Sequence, residues 1–338
     1  MRLSSIAEAW NTFFFEPQSP VPIALFRIIY GSLVIATLVL LYPDWLAWYG
    51  THAWVSLQTM QHVERGTRLN LFTIIPPSDH WLEALFWLFL GSAIFLTLGF
   101  LTRLNTVIVF LCLTSTQQRN LYITHGGDTF LRVAGFFLMF APAGAALSID
   151  RLIRVWRRKE NGGARAFSPW AQRMIQIELA LVYFAAFCSK AQGSSWVDGT
   201  ALYYVYHLDE IRRFPVPSWF LHPIILKLGT WLALLLEFSL AILIWVSELR
   251  YYLLTLGLLF HLCLEYSLNL PLFEWDVLSA YVLFIDAADL GRAGKWILGA
   301  VRAHLGEAPP IVKDGQTVLC RLIATLPDVV GVFRRLSR

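Results

Sequence analysis

Long apolar runs constrain the fold of this 338-residue chain more than any other feature of its sequence. A helix needs about 20 apolar residues to cross a bilayer, and eight stretches approach that length. Only 15% of the residues are charged and 57% are hydrophobic, which excludes an ordinary soluble domain. We therefore predict an all-α membrane protein, a bundle of about eight transmembrane helices. The runs are Ile23–Leu41, Trp81–Leu101, Leu104–Ile123, Thr129–Leu147, Trp170–Cys188, Ile224–Val246, Tyr251–Leu268 and, more weakly, Phe273–Leu290.

The segment before the first run has a different character. Ile6, Trp10 and the three phenylalanines Phe13–Phe15 fall on roughly one side of a helix, which favours a segment that lies in the membrane interface. The first run lacks a small-residue cleavage motif, so it is read as a retained span. The predicted parts are an interfacial N-terminal segment 1–22, a transmembrane domain 23–290 and a cytoplasmic C-terminal tail 291–338.

The basic residues predict an orientation in the membrane. With eight spans, 18 of the 27 lysines and arginines fall in the even connections and the termini, and seven fall in the odd connections. We expect the protein in the inner or plasma membrane of the cell. Cytoplasmic loops carry the excess of positive charge, so both termini are expected in the cytoplasm. The cluster between Arg151 and Arg173 is explained by anionic lipid, and we expect a lipid bilayer and no nucleic acid as partner.

The segment LVYFAAFCSKAQGSSWVDGT carries an apolar helix into Lys190 and then into a turn with Trp196 and Asp198. The charge distribution puts Lys190 at the outer face. A lysine at the end of a membrane helix can direct its ammonium to the interface, but beside a cavity it can instead lose its proton and serve as a base. The aromatic outer loops around it are typical of either an interfacial belt or a substrate entrance.

Six ionisable residues fall inside the predicted spans, and each needs a partner, a cavity or a function, because a buried charge costs about 3 kcal/mol on insertion scales. A single polar interior would satisfy them together. His261 and Glu265 share a helix face, which suits two ligands of one metal or a simple hydrogen-bonded histidine; with no further ligand at that spacing, we predict no metal. The six are Arg27, Arg132, Glu178, Glu237, His261 and Glu265.

Asp128 follows a polar stretch and two glycines at the start of the fourth run. It is well placed as the N-cap of that helix, where its carboxylate would accept backbone N–H groups. The alternative is that it lines an outer pocket with Lys190 and holds a polar substrate. The other residues of that predicted pocket are Arg119, Asn120 and His125.

Several segments in this order resemble one family. PQSPVPIALFRIIYG, QRNLYITHGGDTFLR, ALVYFAAFCSKAQGSSWVDG, LLEFSLAILIW and LLFHLCLEYSL are similar to the HTTM domain (horizontally transferred transmembrane domain), the membrane portion of vitamin K-dependent γ-glutamyl carboxylases and of bacterial relatives. The resemblance covers about Pro17 to Leu290. It implies that Lys190 is the base that deprotonates a reduced quinone, whose oxidation to an epoxide drives carboxylation of glutamate.

The chain departs from the animal carboxylase at places that matter. Gly127 and Asp128 stand where that enzyme has an Asn-His pair, Ser189 replaces one of two adjacent lysines, and little sequence follows Leu290. A full peptide carboxylase is therefore not expected. The sequence leaves two functions open: a quinol-oxidising or carboxylase-like membrane enzyme, and a maturation or export factor for a small secreted peptide that carries out no carboxylation.

Overall fold

The chain is helical throughout the part that the structure, a computed structural model, describes: residues 3–63, 70–157 and 165–304. Short 3₁₀ turns join the helices, and the described residues contain isolated β-bridges but no strand. The predicted all-α class is confirmed. The helices are α1 (Leu3–Phe15), α2 (Val21–Leu41), α3 (Trp45–Tyr49), α4 (Leu57–Val63), α5 (Asp79–Leu98), α6 (Thr102–Arg119), α7 (Gly126–Leu138), α8 (Ile149–Trp156), α9 (Trp170–Ala191), α10 (Ser194–Val197), α11 (Ala201–Tyr206), α12 (Pro223–Ile242), α13 (Ser247–Ser267), α14 (Phe273–Ser279) and α15 (Ala287–His304).

Four helical segments of the described chain are long and apolar enough to cross a membrane, where the sequence predicts about eight. Their positions agree with the first, second, fifth and sixth predicted runs. The C-terminal tail beyond residue 304 lies outside the described residues. The four candidate spans are Val21–Tyr49, Asp79–Leu98, Trp170–Ala191 and Pro223–Trp245.

Two of the predicted spans are not continuous membrane-length helices. The fourth run ends its helix at Leu138, and α7 with 13 residues is about 20 Å long against the roughly 30 Å of a bilayer core. Pro142 and Gly144 follow it in a series of turns, because proline removes a backbone donor and glycine weakens a helix. The run from Phe273 to Leu290 is divided into α14, a 3₁₀ turn and the start of α15.

The N-terminal helix α1 agrees with the interfacial prediction in its exposed side chains. Ile6 is 54% exposed, Trp10 60% and Phe15 50%. These are large apolar side chains that a soluble helix would turn toward a core. Their exposure on one helix is what a segment lying in a membrane interface requires.

The contacts divide the chain into two compact units, and the first takes its described residues from 3–120, 135–173 and 285–304. In this unit α2 packs closely on α5 at Gly31, where an added Cβ would collide with Thr97. Small residues allow two membrane helices to approach in this way.

Arg27 is a fully buried cation of this first unit. Its guanidinium donates to the backbone carbonyl of Ala143 at 2.9 Å and to those of Leu147 and Thr97. The turns after α7 leave carbonyls without helical partners, and arginine offers five donors in a fixed plane. Arg27 therefore holds the loop between α7 and α8 onto α2, and its function is structural.

The second unit comprises residues 121–134 and 174–284. Its helix α12 separates an apolar stripe from a buried polar face. Leu228, Leu232 and Leu235 are 51–61% exposed at helical spacing, as lipid-facing side chains are. On the other face Thr230 and Glu237 are buried. The polar interior predicted from the sequence is accordingly turned away from the stripe.

Candidate functional site

A tight turn places Lys190 at the end of α9. The amide of Gly193 donates to the Lys190 carbonyl at 2.9 Å, and α10 follows at once with Trp196. Gly199 has φ of 77°, a left-handed conformation that favours glycine, and a Cβ there would meet the side chain of Lys227 on α12. This turn therefore lies directly against α12, the helix that carries Glu237.

Lys190 forms an ion pair with Glu237. Its Nζ donates to Oε1 of Glu237, and it lies 5.1 Å from the centroid of the Trp196 ring. The lysine side chain is 29% exposed, whereas that of Glu237 is 5% exposed. The pair joins a partly accessible amine to a carboxylate in the interior, which a lysine that only reaches for the interface would not need.

One carboxylate oxygen of Glu237 lacks a hydrogen-bond donor among the described residues. Its Oε2 is buried and has no hydrogen-bond partner among the described residues. An ionised carboxylate can accept about four hydrogen bonds, and a buried oxygen left without a donor costs roughly 1–3 kcal/mol. The site thus contains an acceptor that a hydroxyl or ammonium group of a ligand could fill.

A second buried chain of hydrogen bonds lies in the same unit. Nε2 of His261 and the hydroxyl of Tyr183 are 2.7 Å apart, and this hydroxyl is also 2.7 Å from that of Tyr281. On its other side Nδ1 of His261 bonds to Oε2 of Glu274. If Glu274 is ionised, Nδ1–H donates to it and Nε2 accepts from Tyr183.

Tyr183 also relates this chain to the lysine pair. It lies on α9 seven residues, or two turns, before Lys190 and so on the same helix face. Two carboxylates, one histidine and two tyrosines therefore form a polar interior in the second unit.

The partners of His261 differ from those that its helix suggested. Glu265, four residues further along α13, pairs with Arg213 instead and is 17% exposed. Glu274 lies in α14, inside the weakest predicted run, and its role was missed because that run reads as lipid-facing. The signal that could have found it is the position of two acids, Glu274 and Asp276, in a stretch otherwise apolar.

The start of α7 is a capping box, not the simple cap predicted for Asp128. The carboxylate of Asp128 accepts the amide of His125 at 2.9 Å, while Nδ1 of His125 accepts the amide of Gly127 at 3.1 Å. His125 takes the capping place and Asp128 lies one turn inside, so each satisfies a donor that the helix leaves free. The prediction was wrong about which residue caps.

Asp276 lies beside this capping box. Its Oδ2 is 2.7 Å from where a Cβ on Gly127 would stand, so only glycine fits there. Burial, and then the charge of Asp128, raise the pKa of Asp276 to about 8. Its carboxyl therefore carries a proton over much of the ordinary pH range.

His125, Asp128 and Asp276 have ligand atoms within 4.8 Å of one another, which raises the question of a metal. Because Nδ1 of His125 accepts an amide, the proton of the neutral ring is on Nε2, the atom that a metal would need. Metal-bound histidines instead donate from their second nitrogen. The geometry favours helix capping, and the absence of a metal stays a prediction.

The remaining predicted pocket residues are dispersed. Arg119 belongs to the first unit, where it is 2% exposed and donates to the carbonyl of Val55 at 2.9 Å; Asn120 is buried in the same unit. Asp198 is exposed, and Glu178 is half-buried with an oxygen that has no partner among the described residues. The structure brings together Lys190, Glu237 and Trp196.

A family profile for the HTTM domain matches residues 15–288, most of the chain. The chain belongs to the HTTM family. HTTM domains are membrane domains of carboxylase-like proteins, and the match covers all of the second unit and the first unit except its two ends. No curated protein and no solved structure matches the chain.

Proposed function

We propose that this HTTM protein is a membrane enzyme that removes a proton from a hydroxyl of a reduced quinone, with Lys190 as the base and dioxygen as the oxidant. The observation that supports the proposal best is the Lys190–Glu237 pair. An amine at a helix end that is partly open to solvent has the access that a general base needs, and the buried carboxylate fixes its position.

The residues around the pair fit a quinol. The flat ring of Trp196 lies beside the amine, and aromatic rings pack well in offset or edge-on arrangements. The spare oxygen of Glu237 is an acceptor for a hydroxyl. A reduced quinone has one flat ring and two hydroxyl donors, which matches these groups. It would supply the electrons, and the protein would supply orientation and the removal of the proton.

We place this site at the outer face of the cell membrane, with both termini in the cytoplasm. The orientation is based on the excess of lysine and arginine in the even connections. It is the same whether the chain crosses the membrane four or eight times, because α6 with α7, and α13 with the segment after Ser267, would each add a pair of crossings. Carboxylase-like chemistry would begin from the same deprotonation.

Replacement of Lys190 by arginine tests the function. A guanidinium keeps the charge and the pair with Glu237, but it does not lose its proton in proteins. We expect the rate at which purified protein in nanodiscs oxidises a reduced naphthoquinone to fall at least about 100-fold. The rate is measured as product formed and as dioxygen consumed per unit time. The melting temperature should stay close to that of the wild type. Equal oxidation by both proteins would remove Lys190 from the mechanism.

The second candidate function is that of a maturation or export factor for a small secreted peptide. Helix α11 and the loop after it favour this function, because Tyr204 in the helix is 61% exposed and Trp219 in the loop is 66% exposed, and exposed aromatic residues suit peptide binding. In that case neither the wild type nor the arginine variant would oxidise the quinol. Loss of a secreted peptide from cells that carry Tyr204→Ala would then support this function.

A further inference from the structure

The ion pair creates a difficulty for a lysine base. An amine can take a proton only when it is neutral, whereas the carboxylate of Glu237 favours the ammonium form of Lys190. Loss of the lysine proton to water would leave the glutamate charge buried and unpaired, which is costly. A base in this position needs an acceptor for its own proton within the protein.

Glu237 is the acceptor that lies within reach. Oε1 already accepts the hydrogen bond from Lys190, so the proton needs only to move along that bond. The transfer converts an ammonium and a carboxylate into an amine and a carboxylic acid. The net charge of the pair stays at zero, so the transfer adds no unpaired charge to the interior.

The groups packed around Glu237 do not prevent the transfer of a proton to it. Tyr183 lies on the same face of α9 as Lys190, but its hydroxyl is already shared between His261 and Tyr281. Oε2 of Glu237 lacks a donor among the described residues and is buried. A carboxylic acid formed on Glu237 would therefore remove the cost of an ionised oxygen with no hydrogen bond.

We propose that Glu237 takes up the proton that Lys190 must lose before it can act as a base. Lys190 first gives its proton to Glu237; the neutral amine then takes the proton from the phenolic hydroxyl and becomes an ammonium again. The O–H bond of the substrate breaks, its electron pair stays on the oxygen, and the aryloxide lies beside the ammonium. This inference rests on the proposed function, and it makes Glu237 a positioning residue that acts through Lys190.

A simple counter-ion would behave differently. If Glu237 only holds Lys190 in its charged form, Glu237→Gln would increase the neutral amine and would leave turnover equal or higher. If Glu237 receives the proton, the same variant would leave the ammonium of Lys190 without an acceptor in the protein, and both the neutral amine and the turnover would fall. Glutamine keeps the shape and the hydrogen-bond acceptor, so the two cases differ only in proton transfer.

The first measurement compares wild type, Glu237→Gln and Glu248→Gln. Glu248 is exposed at the start of α13, so its variant removes an equal charge elsewhere. The neutral amine of Lys190 is measured as its rate of acylation by an amine-reactive ester, followed by mass spectrometry. We expect Glu237→Gln to be acylated at least about threefold more slowly and to oxidise quinol at least about tenfold more slowly, which is ~1.4 kcal/mol of barrier. Glu248→Gln should match the wild type in both.

Each other result has a definite meaning. Faster acylation with unchanged or faster oxidation would overturn the proposal in favour of a counter-ion. Unchanged acylation would show that Glu237 does not control the proton on Lys190 and would also overturn it. If Glu237→Gln loses thermal stability, the conservative variant Glu237→Asp is measured instead. It keeps a proton acceptor and should recover part of the turnover. No recovery in a folded protein would count against the proposal.

A binding measurement separates this inference from the proposed function. A chromogenic naphthol that cannot be oxidised to a quinone is added to the protein, and infrared and visible difference spectra are recorded. We expect a naphtholate band together with a carboxylic-acid band that Glu237→Gln lacks. If the wild type shows both bands but oxidises no quinol, the proposed function fails and the proton transfer stands. If a naphtholate forms without the acid band, Glu237 is not the acceptor.

Discussion

The two compact units treat buried charge in opposite ways. In the first unit, Arg27 is surrounded by backbone carbonyls that the turns after α7 leave free. In the second unit, buried side chains bond to one another, and the carboxylate oxygens without a partner among the described residues all lie there. These are oxygens of Glu178, Glu237, Glu265, Glu274 and Asp276.

The difference indicates which unit holds the chemistry. A cation that donates to backbone carbonyls fixes the chain, because its hydrogen bonds tie one segment to another. Carboxylates with spare oxygens, beside a lysine, a histidine and tyrosines, can exchange protons and accept a donor from a substrate. Structural and functional polar residues inside a membrane look alike in a sequence. The cost of burial predicts that each has a partner, but it does not predict whether that partner is the backbone or another side chain.

Replacement of the two cations by methionine should separate the units most clearly. Arg27→Met leaves the carbonyls of Ala143 and Leu147 buried without donors, and we expect a loss of about 3 kcal/mol of stability. Lys190→Met should cost less than about 1 kcal/mol, because its side chain is partly exposed and Glu237 can take up a proton. Thermal melting in one detergent measures both.

The same two variants should rank in the reverse order in function. Folded Arg27→Met should oxidise quinol at the rate of the wild type, whereas Lys190→Met should be inactive. If Lys190→Met proved the less stable protein, the pair with Glu237 would be a structural clamp, and the contrast between the units would disappear.

Much of the fold followed from the sequence, because membrane-length apolar runs have few alternatives. Four candidate spans were predicted from apolar length, and Lys190 and Glu237, which the structure pairs, were both predicted as site residues because they are polar residues within or at the end of such runs. The break after Leu138 was not, since Ala and Pro residues there are apolar enough to extend a hydropathy run while the backbone turns.

The partners within the site were harder to predict, because they come from distant segments. Glu237 lies 47 residues from Lys190, and Glu274 lies 13 residues from His261 on another helix. Helical spacing suggested Glu265 for His261, but α13 directs that acid to Arg213. Periodicity shows which residues share a face, and only tertiary packing decides what the face meets.

A glycine pair tests whether the buried hydrogen-bond chain is closely packed. At Gly257 on α13 an added Cβ would collide with the hydroxyl of Tyr281, so Gly257→Ala should displace that tyrosine and cost about 2 kcal/mol. At Gly91 on α5 nothing lies within 4 Å of the added Cβ, and Gly91→Ala should stabilise the first unit by ~0.5–1 kcal/mol. Opposite shifts in melting temperature are expected; shifts of one sign would mean that the chain around Tyr281 is loose.

The smallest expected effect concerns the proton on Asp276, which lies in α14 outside the candidate spans. Its pKa is raised from 3.8 to about 8 in the folded protein, so the folded state keeps a proton that the unfolded state loses. The stability that this gives is complete below about pH 4 and is lost as the pH rises through about 8. Asp276→Asn cannot titrate, so the melting temperature of the wild type should fall relative to this variant between about pH 5 and pH 8 and then level off.

Asp198→Asn, at an exposed aspartate, is the control and should show a constant difference. A gap between wild type and Asp276→Asn that stays constant or widens in favour of the wild type would mean that Asp276 is ionised in the fold, and that the second unit holds its carboxylates charged as firmly as the first unit holds Arg27.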